Sequence, residues 1–122
     1  ILYEYWDKGT IEDVEEFKIL LLNRANMVLG IASLFKGGVV GTVIDSRVIF
    51  QYALKANAAQ IILAHNHPSG DPTPSAQDIS CTRNLVAAGK VIGIEVLDHV
   101  ILGERTVDRG RDFISLREQG LL

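Results

Sequence analysis

Short apolar runs separated by turn residues are the feature that most constrains how this chain can fold. Each run is a few residues long and rich in Ile, Leu and Val, which is typical of strands buried in a sheet. The Asn-containing segment 23–26 between the first two runs indicates a hairpin turn. The predicted strands are Phe17–Leu22, Met27–Phe35, Gln60–Ala64, Val91–Ile94 and Val96–Leu102.

Two further segments carry apolar residues at helical spacing. The first is Val48–Ala56, for which Asp45 or Ser46 is the predicted N-cap. The second runs from Ala76 to about residue 88, and Gly89 suits the position just past its end. Because strands and helices alternate through the middle of the chain, the pattern predicts a layered α/β or α+β domain.

The composition narrows the classes of function. Apolar residues make up 48% of the 122 residues, which is enough for the core of one domain. The net charge is -3, so direct nucleic-acid binding has no compositional support. Cys81 is the one cysteine, so an intrachain disulfide is excluded. No apolar run approaches the roughly 20 residues that span a bilayer, and we expect a soluble cytoplasmic domain without a membrane partner.

The segment from His65 to Asp78 is the part of the sequence that can carry chemistry. His65 and His67 are two residues apart at the end of an apolar run, so both rings face one side if the backbone stays extended. A Pro- and Gly-rich loop follows, and Asp78 lies on the first turn of the next predicted helix. Catalytic zinc sites use three such ligands and leave a fourth position to water. The spacing favours a metal site over two unrelated histidines and a capping aspartate.

A His/His/Asp zinc site with an open position would favour hydrolysis. Zinc in such a site lowers the pKa of a water molecule to about 7. Two roles remain open for Ser75. It can cap the helix, with Asp78 as the acid of a capping box, or its hydroxyl can donate a hydrogen bond to a developing oxyanion.

These residues resemble a known family. The pattern His65-x-His67-Pro68 followed by Ser75-x-x-Asp78 looks like the metal motif of JAMM/MPN domains. The resemblance implies that His65, His67 and Asp78 are zinc ligands and that Ser75 holds the oxyanion or the water. It also implies a three-layer α-β-α domain with a mixed sheet, similar to the cytidine-deaminase-like group.

Longer segments resemble the bacterial RadC-like proteins, which are labelled DNA-repair proteins. They are Ile62–Gly70, Leu97–His99 and Ser115–Glu118. The resemblance runs from about residue 16 to the end, so residues 1–15 are interpreted as a lead-in segment and 16–122 as the JAMM/MPN-like domain. The resemblance also implies an upstream domain with helix-hairpin-helix character, which we do not expect within residues 1–122.

The resemblance leaves two hypotheses about function. Well-studied JAMM members are isopeptidases, so the first is a zinc-dependent hydrolase that acts on a peptide or isopeptide bond of an unknown peptide or protein substrate. The alternative is a metal-binding but non-catalytic interaction module in a DNA-repair-associated protein. The sequence does not determine the substrate or the oligomeric state.

JAMM enzymes take their general base from a glutamate near an early strand. Glu16 leads into the apolar run Phe17–Leu22 as that glutamate does, so the resemblance predicts Glu16 as the base. Glu15 is the rival, because a shift of one residue exchanges the side chains that face the site. Both could instead belong to a solvated acidic face.

Three other residues invite a functional interpretation for which a structural one is preferred. His99 follows Asp98 and could form a second metal shell, but such a pair more often satisfies a strand end. Cys81 could face the metal site, yet a small buried helix residue is the favoured interpretation. Asp71 lies between Gly and Pro, which indicates a turn.

Overall fold

A computed structural model describes residues 15–36, 45–103 and 112–122. Apart from Glu15, the predicted lead-in segment lies outside these residues. The described elements, in chain order, are β1 (Glu16–Leu22), β2 (Val28–Lys36), α1 (Ser46–Lys55), β3 (Gln60–Asn66), α2 (Ala76–Ile92), β4 (Glu95–Leu102) and β5 (Phe113–Ser115).

The strands form one mixed sheet in the order β2-β1-β3-β4-β5. Strand β1 is antiparallel to both β2 and β3, while β3 and β4 are parallel and β5 returns antiparallel to β4. The α/β class and the mixed sheet are therefore confirmed. The hairpin between β1 and β2 is also confirmed, and its turn is closed by Asn23, whose side-chain oxygen accepts the N–H groups of Ala25 and Met27.

One face of the sheet carries the main core. Residues Phe17, Ile19 and Leu21 of β1 pair with His65, Leu63 and Ile61 of β3, and the apolar members of this set are buried. Both helices contribute buried residues to the same cluster, so among the described residues they form one layer on this face; the residues are Ile49, Phe50 and Ala53 of α1 and Leu85 of α2. No helix in the described ranges is long and apolar enough to cross a membrane.

The end of α2 corrects one prediction. The segment Val91–Ile94 was predicted as a strand, but α2 continues to Ile92 and ends at Gly93, which adopts the left-handed conformation at φ 87°. Gly89 lies inside the helix instead of ending it. A Cβ on Gly89 would clash with the backbone oxygen of Ile94, so this glycine lets the chain fold back closely against the helix.

The topology brings four chain segments to one edge of the sheet. Strand β3 extends to Asn66, two residues beyond its predicted end, so His65 lies within the strand. Because β1 runs opposite to β3, the start of β1 lies beside the end of β3, as the pairing of Phe17 with His65 shows. The end of β4 and the first turn of α2 meet the same edge. The predicted metal site lies there.

Candidate metal centre

His65 is held rigidly at the carboxyl end of β3. Its side chain is 2% exposed. The ring stacks on Phe17 with centroids 5.7 Å apart and an interplanar angle of 11°. Strand pairing and stacking leave the imidazole little freedom, so its Nε2 atom has a defined direction.

His67 lies just past the strand and is partly buried. Its backbone N–H donates to Leu102 O at 2.9 Å, which continues the pairing with β4 beyond the last strand residue. Its Nδ1 lies 2.8 Å from Asp71 O. Since a carbonyl oxygen only accepts hydrogen bonds, Nδ1 carries a proton, and Nε2 of the neutral ring is left with a lone pair. That Nε2 lies 3.0 Å from Nε2 of His65.

Asp78 completes the predicted set. It occupies the third position of α2 and closes a capping box, since its carboxylate accepts the N–H of Ser75 at 2.9 Å while the Ser75 hydroxyl oxygen accepts the N–H of Asp78 at 3.0 Å. Its two oxygens lie 3.6 Å from His65 Nε2 and 3.4 Å from His67 Nε2. The structure thus brings all three predicted ligands together.

The donor atoms fit a divalent cation of the zinc type. Ligands about 2.0–2.1 Å from a tetrahedral zinc ion lie roughly 3.3 Å apart, close to the separations seen here. Imidazole nitrogen and carboxylate oxygen are both donors that zinc accepts. A group made of Glu15, His65 and His67, whose ligand atoms lie within 4.8 Å of one another, could also hold a metal ion. Two carboxylates therefore compete for the position beside the imidazole pair.

The two glutamates at the start of β1 point in different directions. The Glu15 carboxylate lies 3.9 Å from His65 Nε2. Glu16, predicted as the base, is 6% exposed, and its carboxylate lies 3.6 Å from Lys18 Nζ. Its backbone N–H donates to the Asn66 side chain at 2.7 Å. Alternate strand residues face opposite sides, so Glu16 shares the face of Lys18, away from the histidines, and Glu15 is the acid that reaches the cluster.

The surroundings shift the pKa values of the four groups differently. Burial lowers the pKa of His65 to about 4. Burial acts to lower the pKa of His67 as well, but hydrogen bonds to Asp78 and Asp71 outweigh it and raise that pKa. Burial would raise the pKa of Asp78, yet hydrogen bonds from His67 and Ser75 hold it well below its usual range.

Glu15 is shifted in the opposite direction to Asp78. Burial raises the pKa of Glu15; the charge of His67 opposes this, and the negative charge of Asp78 adds to it. The site therefore contains one carboxyl group that stays ionised and one that holds a proton more readily.

The remaining candidates have structural contacts. Asp98 and His99 were expected at a strand end, but they lie in the middle of β4, where Asp98 accepts the backbone N–H groups of His99 and Arg117. Cys81 is partly buried against the main core. The Asp71 carboxylate accepts the N–H and the hydroxyl of Thr73, which makes it a turn residue.

Two residues near the site were not anticipated in these roles. Phe17, which stacks on His65, was predicted only as part of a strand. Thr82 was predicted only as part of a helix, but it is fully buried, and its hydroxyl contacts the ring of His99 at 2.6 Å. Its position four residues after Asp78 puts it on the same helix face and was the available signal.

Comparison with known proteins identifies the family. The family model of the RadC-like JAB domain matches residues 2–121. This chain belongs to the RadC-like JAB domain family. JAB domains are typically metal-dependent, and the match suggests a JAMM-type family of metal-dependent hydrolases. The group of Glu15, His65 and His67 at one edge of the sheet could bind a metal ion.

Similar proteins carry the designation UPF0758. One from Clostridium kluyveri is 46% identical over 108 residues, covering 88% of this chain and 45% of that protein. One from Moorella thermoacetica is 50% identical over 110 residues, covering 90% of this chain and 45% of that protein. The JAB domain described here thus spans about half the length of the curated relatives it matches.

Proposed function

We propose that this domain holds a zinc ion through His65, His67 and Asp78 and hydrolyses a peptide or isopeptide bond, with Glu15 as the general base. One observation carries the proposal: two imidazole Nε2 atoms lie 3.0 Å apart, and the carboxylates of Glu15 and Asp78, whose pKa values are shifted in opposite directions, lie within 4 Å of this pair. Such opposite shifts are typical of carboxyl groups with different catalytic roles. Bound zinc would act as a Lewis acid toward a water molecule and the scissile carbonyl.

Asp78 is assigned as the ligand for three reasons. Its oxygens lie nearer the two Nε2 atoms than the Glu15 carboxylate does, at 3.4 and 3.6 Å against 3.9 Å. Its lowered pKa keeps it anionic, as a ligand must be. The capping box also holds its carboxylate in one orientation, which stabilises a coordination geometry.

Glu15 is assigned as the base and replaces Glu16 in that role. A base accepts a proton most effectively when its pKa lies near the working pH, and burial raises the pKa of Glu15 in that direction. Glu16 is paired with Lys18 on the other face, where its carboxylate is directed away from the histidines. Ser75 is the candidate donor to the oxyanion, for which its hydroxyl would have to exchange the side-chain hydrogen bond that it makes to the Asp78 carboxylate.

A matched pair of variants, Glu15→Gln and Glu16→Gln, tests the assignment. The assays are zinc affinity by chelator competition and hydrolysis of a peptide and isopeptide library followed by mass spectrometry. We expect Glu15→Gln to keep its zinc affinity and lose about 100- to 10,000-fold in rate, while Glu16→Gln keeps both. A wild-type protein that binds zinc and cleaves no library member would refute the hydrolase proposal.

A non-catalytic metal module is the second candidate function. The observation that favours it is the compact group of Glu15, His65 and His67, in which Glu15 would be a ligand and no base would remain. In that case Glu15→Gln should weaken zinc binding about as strongly as Asp78→Asn does. The comparison of these two variants therefore separates the two functions without a substrate.

A further inference from the structure

A chain of hydrogen bonds runs behind the candidate metal centre. His65 Nδ1, the ring nitrogen that faces away from His67, lies 2.6 Å from His99 Nε2. His99 Nδ1 lies 2.6 Å from Thr82 Oγ1, and the Thr82 hydroxyl lies 2.7 Å from the backbone oxygen of Asp78. The side chains of His65, His99 and Thr82 are all buried. The chain therefore begins at one proposed ligand and ends at the backbone of another.

The Asp78 carbonyl at the end of this chain of hydrogen bonds determines which atom donates in each of them. The backbone carbonyl of Asp78 can only accept, so the Thr82 hydroxyl donates to it. The hydroxyl has one proton, so Thr82 Oγ1 must accept from His99 Nδ1. A neutral ring protonated at Nδ1 has a bare Nε2, which accepts from His65 Nδ1. His65 Nε2 is then left without a proton, facing the proposed metal.

If the hydrogen bonds ran in the opposite direction, this chain of hydrogen bonds would be interrupted. If His65 carried its proton on Nε2, its Nδ1 would have to accept from His99 Nε2, and the bare His99 Nδ1 would require the Thr82 proton. The hydrogen bond from Thr82 to Asp78 would then be lost.

The backbone on either side of His99 is anchored as well. Its N–H donates to the Asp98 carboxylate at 2.7 Å, and its carbonyl accepts the N–H of Leu116 at 3.0 Å. Phe17 packs edge-on against its ring, with centroids 5.6 Å apart. These contacts hold the ring at the position where the hydrogen bond to His65 forms.

We propose that His99 and Thr82 are positioning residues, which hold His65 in the tautomer that presents a bare Nε2 to the cation. The proposal rests on the zinc site proposed above and adds to it a physical link between the ligand on β3 and the ligand on α2. Partners of this kind, which fix the ring orientation and tautomer of a metal-binding histidine, typically contribute 10- to 100-fold in metal affinity, as an order of magnitude.

The direct test is the ring nitrogen NMR spectrum of the metal-free chain at neutral pH. We expect His65 and His99 both to carry their proton on Nδ1. A spectrum in which His65 carries it on Nε2 would overturn the inference. This measurement needs neither zinc nor a substrate, so it decides the tautomer even if the protein proves to bind no zinc, which would refute the proposed function alone.

The second test uses Thr82→Val, which keeps the shape of the side chain and removes the hydroxyl, with Thr82→Ser as the matched control. Chelator competition should give zinc binding weakened by about 10-fold in Thr82→Val and close to wild type in Thr82→Ser. The His65 tautomer signal should broaden or shift in the valine variant only. Equal zinc affinity in the wild type and both variants, with folding verified by circular dichroism, would show that the hydroxyl does not position the ligand.

Discussion

Acidification of the metal-free domain should destabilise it, because two buried histidines resist protonation. Burial lowers the pKa of His65 from 6.5 to about 4, and it moves the pKa of His99 well below the usual value. The unfolded chain takes up these protons near pH 6.5, while the folded chain does not until the pH is much lower. The stability that depends on the neutral rings is therefore complete above about pH 6.5 and is lost as the pH falls toward 4.

The shift at His65 sets the size of the effect. A gap between 6.5 and about 4 corresponds to about 3 kcal/mol of unfolding free energy. Between roughly pH 6 and pH 4.5 the unfolded histidine is mostly protonated and the folded one mostly neutral. This difference in proton uptake lowers the free energy of unfolding by about 2 kcal/mol over that range. His99 adds a loss in the same direction.

The effect of His65 on stability between about pH 6 and pH 4.5 can be separated from the effects of the neighbouring titratable groups. The raised pKa of His67 stabilises the folded state fully below 6.5 and changes only at higher pH, and the lowered pKa of Asp78 contributes fully above 3.8. Glu15 acts in the opposite direction, because its raised pKa lets the folded state take up a proton first. The measurement should therefore be made in a Glu15→Gln background.

The assay is urea unfolding with a chelator present, monitored by circular dichroism from about pH 6 to pH 4.5. Glu15→Gln is compared with the double variant that also carries His65→Gln, whose amide can still donate to His99 but does not titrate. The double variant should lose about 2 kcal/mol less over this window. Parallel stability curves for the two proteins would contradict the assignment of the buried, neutral His65.

Two further outcomes follow from the packing around the site. A methyl group on Gly103 would lie 2.5 Å from the backbone oxygen of Gly70 in the metal-site loop, so Gly103→Ala should destabilise the protein by about 1–3 kcal/mol in urea unfolding. Gly30→Ala is its control, since a Cβ there meets nothing within 4 Å; equal effects of the two would argue against the close approach. Ser75→Ala should lower stability by about 1 kcal/mol through loss of the cap and loosen Asp78, seen as weaker zinc binding, whereas an unchanged melting temperature would mean that the capping box contributes little.

The predictions that agree with the structure concern local geometry. His65 and His67 face one point because they are two residues apart in extended backbone, and Asp78 is held by a capping box that spans three residues. The turn at Asn23 follows the same logic, because its side chain bonds to groups a few residues away. Interactions of such short range depend on residue type and spacing, which the sequence states directly.

The choice between Glu15 and Glu16 depended on strand register. Both lie at the start of an apolar run, and the sequence offers no reason for the second to pair with Lys18 while the first reaches the histidines. The pairing of Phe17 with His65 decides it, because a strand alternates its faces residue by residue. A pairing partner nearly fifty residues away along the chain is not visible in the local pattern.

The end of α2 was predicted wrongly for a related reason. Gly89 reads as a helix stop when only its neighbours are considered, yet in the fold it provides room for the backbone of Ile94 to pass close to the helix. The helix ends at Gly93, where the left-handed conformation required there is available to glycine. Long-range packing overrode the local signal.

By itself, then, the sequence determined the family, the α/β class and the three side chains that converge at the end of β3, because these depend on motif and spacing. Only the tertiary structure decided which glutamate reaches the cluster and that the His99 ring lies within hydrogen-bond distance of His65 Nδ1. Both depend on contacts between β1, β3 and β4. The pairing of strands distant in the chain creates those contacts, and no periodicity within a single strand encodes them.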